Sequence, residues 1–273
     1  MTAVAWPAQL PLALMLAERA DAPATWPGLG PRDPGPIRLI VAADEAQMRE
    51  LTGGRAPSWG AGIAIPGART ILIRADARDP LTTLRHELAH LALRRAVRVH
   101  LPRWFDEGYA SYAAGEWDRL DAIQLNLTVM RGGAPDLAGL DAALRGRAPD
   151  AEASYALAMS AVLELARRNP TGTLQPLLAL LEAGVEFPQA VSRTTGLTEG
   201  QFAVEWQRAV RSRYGLLTWV TAGGFWALIA LAVLGARWYR RRADRPRRAA
   251  LDEGWVIPPE EPPSELDQGG ESV

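Results

Sequence analysis

The sequence predicts an α+β fold in which a small N-terminal sheet is followed by a mostly helical domain and one C-terminal transmembrane helix. Three observations predict this fold. Short apolar runs separated by turn residues occupy positions 37–74, which favours strands and a hairpin. Segments of helical character, interrupted at glycines and prolines, fill positions 103–214. An uncharged stretch at 215–236 is long enough to cross a bilayer.

The N-terminal sheet is predicted from three apolar runs. Positions 37–42 (IRLIVA) indicate a strand, and a short helix is expected at about 44–51. The runs at 61–65 and 70–74 are joined by a Pro-Gly-containing turn at 66–69. This pattern predicts a hairpin.

The next helix is predicted at 80–97, with Asp79 as its N-cap, and it carries the motif H-E-L-A-H. Residues i and i+4 of a helix lie one turn apart on the same face, so His86 and His90 can bind one metal ion between their imidazoles. Glu87 lies beside them, where a carboxylate can polarise a metal-bound water without being a ligand. The motif therefore predicts a site for one Zn²⁺ ion.

A catalytic zinc site usually has three protein ligands, so a third is expected. The metzincin pattern requires a glycine and then a histidine after the motif, but Leu93 and Ala96 occupy those positions. His100 is the remaining histidine; it fits no known ligand spacing and is interpreted as a surface residue. Glu107 lies near the start of a second helix, from which it can face back onto the histidines. The alternative for Glu107 is a solvent-exposed acid that stabilises the helix dipole.

The surroundings of Glu107 carry a family resemblance. H-E-L-A-H is followed after sixteen residues by Glu in the setting W-x-x-E-G-x-A-x-Y, which resembles the gluzincin metallopeptidases. The resemblance is strongest to the peptidase MA-like group, often found as membrane-linked bacterial proteins, and extends over about 37–214. The matching positions are His86, Glu87, His90, Trp104, Glu107, Gly108, Ala110 and Tyr112. The resemblance implies that His86, His90 and Glu107 bind zinc and that Glu87 is the general base.

Two later segments share the resemblance. Positions 154–166 (SYALAMSAVLELA) resemble a tyrosine-bearing helix of the family, and 187–206 resemble its closing helical segment. By analogy with related sites, Tyr155 is a candidate donor to the oxyanion formed during hydrolysis. The alternative is that Tyr155 is an ordinary aromatic residue packed on its helix.

The chain also departs from the aminopeptidases of the M1 type, which share the E-G-x-A setting. Those enzymes have two more residues between the motif and the third ligand, and a Gly-x-Met-Glu-Asn segment whose carboxylate binds the free amine of the substrate. This chain has Gly-Ala-Gly-Ile-Ala at 60–64, without a carboxylate. Aminopeptidase specificity is therefore not expected.

Composition excludes some classes of function. The formal net charge of -1 gives no indication of a nucleic-acid partner. The chain has no cysteine, which excludes disulfides, cysteine-ligated zinc and thiol catalysis.

The C-terminal part predicts a membrane anchor. Trp219 near one end of the stretch at 215–236, and Trp238 with Tyr239 beyond the other, resemble interfacial aromatic anchors. The arginine-rich segment within 237–248 favours a cytoplasmic C-terminus and therefore an extracytoplasmic catalytic domain. The whole segment 237–273, basic and then acidic and proline-rich, is predicted to be a disordered tail.

The N-terminal segment at 1–36 is interpreted as a lead-in to the domain at 37–214. Positions 3–16 are apolar enough for the core of a signal peptide, but a basic start and a convincing cleavage site are missing. A residual signal segment and an amphipathic helix both remain open.

These features predict a membrane-anchored, zinc-dependent metallopeptidase whose partners are a peptide or protein substrate and the lipid bilayer. The strand at 61–65 is a candidate edge strand onto which an extended substrate adds, provided that it lies near His86. One alternative is a non-catalytic, membrane-anchored zinc-binding module, although such a module has no need of Glu87. Another is zinc-dependent hydrolysis of a non-peptide amide such as cell-wall material.

Overall fold

The computed structural model describes residues 1–21, 25–33, 35–54, 60–116, 134–145, 148–214 and 225–253. The chain divides into two units, Met1–Trp219 and Val220–Val273. The first unit contains the motif helix. The segments 117–133 and 254–273 are among those outside the described residues.

Within the described residues, the first unit contains a four-stranded sheet in the order β1-β4-β6-β5 and a short antiparallel pair, β2 with β3. The strands are β1 Thr2–Ala5, β2 Thr25–Trp26, β3 Gly30–Pro31, β4 Arg38–Ala42, β5 Gly62–Ile65 and β6 Thr70–Arg74. Strands β1, β4 and β6 are parallel, and β5 runs antiparallel to β6 at the edge of the sheet. The predicted strand at 37–42 and the predicted hairpin are therefore confirmed.

The central strands form because their apolar residues are covered on both faces. On one face, Leu39 and Val41 of β4 and Ile71 and Ile73 of β6 are fully buried, and on the other face Ala42 and Leu72 are buried as well. Parallel strands buried on both sides read as continuous apolar runs, which is the pattern that predicted them.

Residues 1–36, predicted as a lead-in, contain regular structure that packs into the first unit. Strand β1 pairs in parallel with β4, in the register Thr2 with Arg38. Helix α1, Leu10–Asp21, follows and buries Ala13 and Leu16 completely. Its exposed face carries Glu18 and Arg19 but also Leu14 and Met15, so the separation of polar from apolar residues is incomplete.

Two helices before the helical body begin where the sequence predicts. Helix α2, Glu45–Thr52, is capped by the Asp44 side chain, which accepts a hydrogen bond from the Gln47 N–H at 2.9 Å. Helix α3, Pro80–Ala96, is capped in the same way by Asp79, with proline in its first turn.

The other helices that the structure describes in this unit form a body against which α3 packs. They are α4 Arg103–Ala114, α5 Leu137–Ala143, α6 Ala148–Arg168, α7 Gln175–Glu182, α8 Phe187–Thr195 and α9 Glu199–Tyr214. Helix α4 packs against both α3 and α6. A Cβ atom on Gly108 would lie 2.4 Å from the Ala158 carbonyl oxygen, so only glycine permits this approach of α4 to α6.

The second unit contains helix α10, Phe225–Glu253. The basic segment 237–248, predicted as the start of a disordered tail, lies within this helix instead; it is rich in arginine, a good helix former, and also contains Pro246, which is unfavourable inside a helix. Across the ranges given above, none of the helices combines the length and hydrophobicity needed to cross a membrane. Part of the predicted span, at 215–224, lies outside the described residues, as does most of the acidic tail.

Candidate metal centre

Helix α3 brings the two histidines of the motif together. His86 and His90 lie one turn apart, and their Nε2 atoms are 3.2 Å from each other. After α3 ends at Ala96, a short connector leads into α4, which packs back against α3. Glu107 of α4 therefore faces the histidines, as its position predicts, whereas His100 in the connector is exposed and lies outside the cluster.

The three side chains of this cluster form a nearly equilateral triangle of donor atoms. The Oε2 atom of Glu107 lies 3.5 Å from Nε2 of His86 and 3.4 Å from Nε2 of His90. A tetrahedral ion with metal–ligand bonds of about 2.0–2.1 Å separates its donors by about 3.3–3.4 Å. The cluster thus has the size of one face of a zinc tetrahedron, and its donor set of two imidazoles and a carboxylate suits zinc.

Two further carboxylates orient the histidine rings. Nδ1 of His86 is 2.8 Å from Oε1 of Glu116, and Nδ1 of His90 is 2.7 Å from Oδ1 of Asp106. Arg94 donates a hydrogen bond to the other oxygen of Asp106 at 2.9 Å. A carboxylate on Nδ1 holds Nε2 toward a metal and raises its basicity.

Sequence reasoning missed both of these carboxylates. Asp106 directly precedes Glu107 in the sequence. Its position beside the third ligand could have suggested that it contacts one of the histidines. Glu116 gave no such signal: Gly115 ends α4 in the left-handed conformation (φ 76°), and this turn brings Glu116 onto His86.

Glu107 uses its two oxygens for different contacts. Oε2 faces the histidines, while Oε1 lies 3.4 Å from an Nη atom of Arg103, one turn earlier on α4. The guanidinium of Arg103 therefore keeps the second oxygen away from the donor triangle.

The charges of the cluster stabilise one another. Burial alone would lower the pKa of His90, but hydrogen bonds to Asp106 and Glu107 outweigh it and raise the pKa to about 9. Burial is likewise outweighed at His86, where Glu107 and Glu116 raise the pKa well above its usual range. Burial also opposes ionisation of Glu107, yet its contacts with both histidines hold the pKa of that carboxyl well below its usual range. Metal binding must therefore displace protons from the imidazoles.

Glu87 occupies a different position, between the triangle and the edge strand. It is buried, with 9 % of its surface exposed, and the burial raises the pKa of its carboxyl despite the two nearby histidines. The Ala64 backbone N–H donates a hydrogen bond to this carboxylate. A Cβ atom on Gly62 would lie 3.2 Å from Glu87 Oε1 and 2.6 Å from Thr83 Cγ2, so glycine lets β5 approach α3 here.

Strand β5 presents an open edge to the cluster. The Arg74 N–H donates to the Ala61 carbonyl at 2.9 Å, which makes these two residues a hydrogen-bonded pair. Because such pairs alternate along antiparallel strands, the backbone groups of Gly62 and Ala64 point away from β6. They line the same cavity of about 450 Å³ as His86 and Glu87. The strand therefore lies near His86, as a substrate-binding edge strand requires.

Tyr155 of α6 also lines this cavity. The centroid of its ring lies 6.1 Å from that of His86. Burial raises the pKa of its phenol, so the hydroxyl keeps its proton at neutral pH. The position is therefore compatible with a hydrogen-bond donor at the site.

A small sheet, a helix bearing H-E-x-x-H and a glutamate from the next helix together define a zincin-like centre. Residues 28–212 match the Peptidase MA superfamily, and the chain belongs to this superfamily. No curated protein matches the chain.

Proposed function

We propose that this chain is a zinc-dependent metallopeptidase that hydrolyses peptide bonds, with His86, His90 and Glu107 as the ligands of one Zn²⁺ ion. The observation that carries the proposal is the donor triangle with sides of 3.2, 3.4 and 3.5 Å, flanked by the buried carboxylate of Glu87. Membership of the Peptidase MA superfamily supports the same class of activity.

Zinc bound at the triangle would supply Lewis-acid activation of a water molecule and of the scissile carbonyl. Asp106 and Glu116 hold the imidazoles in the orientation that metal binding requires, because each carboxylate accepts a hydrogen bond from the Nδ1–H group of a histidine.

Glu87 is the proposed general base. Its carboxylate accepts a proton from the attacking water and then donates that proton to the leaving amine. The raised pKa of Glu87 assists the second half of this role, because a buried carboxyl holds a proton more readily than an exposed one. The hydrogen bond from the Ala64 N–H keeps the carboxylate in place.

Tyr155 and strand β5 are the proposed substrate contacts. The protonated hydroxyl of Tyr155 donates a hydrogen bond to the oxygen of the scissile carbonyl as negative charge develops there; loss of such a donor typically costs about 10²–10³ in rate. The outward-facing backbone of Gly62 is placed to pair with an extended peptide, which would add to the sheet as another strand.

Attachment to a membrane is a separate part of the proposal. It is supported by the uncharged stretch at 215–236 and by the exposed apolar side chains of α10, among them Trp226 and Leu231. The arginines that follow favour a cytoplasmic C-terminus. Carbonate extraction of cells expressing the full chain tests attachment, and a protease-accessible tag at the C-terminus tests orientation; a chain released by carbonate would contradict the anchor.

The test of the activity compares the wild-type chain with Glu87→Gln. Zinc content is measured in both, and both are incubated with a mixed peptide library and with cell-wall fragments. We expect one zinc per chain in both proteins and peptide cleavage by the wild type alone. Zinc without cleavage of any substrate would favour the non-catalytic binding module, and cleavage of cell-wall material alone would favour a non-peptide amidase. Absence of zinc from both would reject the ligand assignment.

A further inference from the structure

The cavity over the metal cluster has two ends of different character. One end is lined by three arginines from three elements, Arg94 of α3, Arg103 of α4 and Arg145 in the turn after α5; we name these three the basic end. Beyond Tyr155, an adjoining cavity of about 280 Å³ is lined by small, polar and apolar side chains, and its charged residues are Arg78, Asp79 and Glu116. A peptide lying across the cluster would therefore meet three arginines on one side, and one arginine beside two carboxylates on the other.

Two of the three arginines already contact acids of the centre. Arg94 donates to Asp106 at 2.9 Å, and Arg103 lies 3.4 Å from Glu107. Their side chains remain 54 % and 42 % exposed, so part of each guanidinium still faces the cavity. Each guanidinium carries five N–H donors, more than one carboxylate oxygen can use.

Arg145 has no such contact with an acid among the described residues. Among the side chains that the structure describes, no carboxylate forms an ion pair with it, although it is exposed at the wall of the cavity. Leu144 beside it is fully buried and anchors the turn, which keeps Arg145 at the wall of the cavity. Within the described residues, the three arginines of the basic end therefore contact two acids, Asp106 and Glu107, and a bound divalent cation would add further positive charge.

From this arrangement we propose that the basic end is a subsite for a carboxylate of the peptide substrate, and that Arg145 determines its specificity. The inference rests on the proposed peptidase function and adds a substrate class to it. The planar guanidinium matches a carboxylate with two parallel hydrogen bonds, which favours this anion over a neutral amide of the same shape. The carboxylate is supplied by an acidic side chain near the scissile bond or by the C-terminus of the peptide.

The first test measures kcat/KM for matched peptides. Glu is compared with Gln at each position around the cleavage site, and a free C-terminus is compared with an amidated one, so that the two sources of carboxylate are separated. We expect the wild type to prefer one anionic member by about tenfold or more, since charge-assisted hydrogen bonds are the stronger ones. Arg145→Ala removes most of that preference and Arg145→Glu reverses it. The control Arg193→Ala, on the exposed side of α8 away from the cavity, retains the wild-type ratio.

The second test measures binding without turnover. Two zinc-loaded proteins, Glu87→Gln and the double variant Glu87→Gln with Arg145→Ala, are titrated with fluorescently labelled versions of the same peptides. A preference for the anionic peptide that disappears with Arg145→Ala supports the subsite. Equal affinities for both peptides, or a preference that survives Arg145→Ala, overturns it.

The two tests also separate this inference from the proposed activity. Charge-selective binding without cleavage of any peptide by the wild type would reject the peptidase and leave the anion subsite in place. Cleavage with no preference for charge, together with equal affinities in the titration, would reject the subsite and leave the peptidase in place.

Discussion

The first unit contains two buried carboxylates surrounded by cations, and they differ in the kind of cation. Glu107 lies between the imidazoles of His86 and His90. Glu164 of α6 is more deeply buried, and it pairs with guanidinium groups, from Arg167, Arg168 and Arg213. In both clusters burial opposes ionisation and the cations outweigh it, so the pKa of each carboxyl is lowered.

The difference lies in what the cations can do when a metal arrives. An imidazole can lose its proton and become a ligand, whereas a guanidinium stays charged and repels a metal ion. The Glu107 cluster can therefore exchange protons for zinc, while the Glu164 cluster can only join α6 to α9. The contact from Arg213, at 3.3 Å from Glu164, is one of those joining the two helices. Of two similar acids, Glu107 thus belongs to a candidate metal-binding site and Glu164 to a structural network of ion pairs.

The largest expected effect comes from removing the acid of the metal cluster. Glu107→Gln should reduce zinc affinity by more than about a hundredfold, beyond the range typical of residues that only orient ligands. Competition with a chromophoric chelator measures this affinity. The matched control is Glu164→Gln, which should leave zinc affinity unchanged; loss of zinc in both variants would contradict the distinction.

A smaller loss is expected when an orienting acid is changed. Asp106→Asn weakens the hold on the His90 ring and should reduce zinc affinity by about 10–100-fold. Glu205→Gln, which alters an acid paired with Arg168 instead, is the control in the same chelator assay. An Asp106→Asn protein with wild-type affinity would show that the contact to Nδ1 of His90 does not support the site.

Zinc affinity should also depend on pH. In the folded chain the pKa of His90 is raised to about 9, so below that pH its imidazole carries a proton that zinc must displace. The His90 proton alone should therefore make affinity fall by about tenfold for each pH unit below 9, and the raised pKa of His86 should make the fall steeper. Calorimetric titrations in buffers of different ionisation enthalpy measure the protons released. Binding at neutral pH without proton release would contradict the charge state described for the cluster.

The smallest expected effect concerns stability and belongs to the other cluster. Glu164→Gln leaves three guanidinium contacts without their acid and should lower the free energy of unfolding by about 1–3 kcal/mol at pH 7. Because the folded-state pKa of Glu164 is lowered, its contribution is present above the unfolded value and is lost as pH falls through the folded value. Urea denaturation at pH 7 and pH 3 should therefore show the difference shrinking with acid. A difference that is constant with pH would show that charge is not its cause.

The parts of the site that rest on local sequence were predictable. Asp79 and Pro80 start α3, and the spacing of four residues then places both histidines on one face. Glu107 was placed by its distance along the chain and by its setting beside Trp104, since a helix after a short connector packs back on the one before it. The hairpin of β5 and β6 followed from its turn residues in the same way.

The parts that rest on tertiary contacts were not predictable. Strand β1 is four residues long and is identified only by pairing with β4, far along the chain. Glu116 reaches His86 only because α4 ends in a left-handed turn at Gly115. Arg145 belongs to the basic end because α5 packs near α4. The pattern of apolar residues along the sequence does not predict this contact.

Anomalous diffraction at the zinc absorption edge, from crystals grown with one equivalent of zinc, tests the central claim most directly. We predict one anomalous peak bonded to Nε2 of His86, Nε2 of His90 and Oε2 of Glu107, at about 2.0–2.2 Å from each. The Nδ1 contacts to Glu116 and Asp106 should be retained, and no peak should lie at Glu164. A peak elsewhere, or no ordered zinc at the donor triangle, would contradict the account.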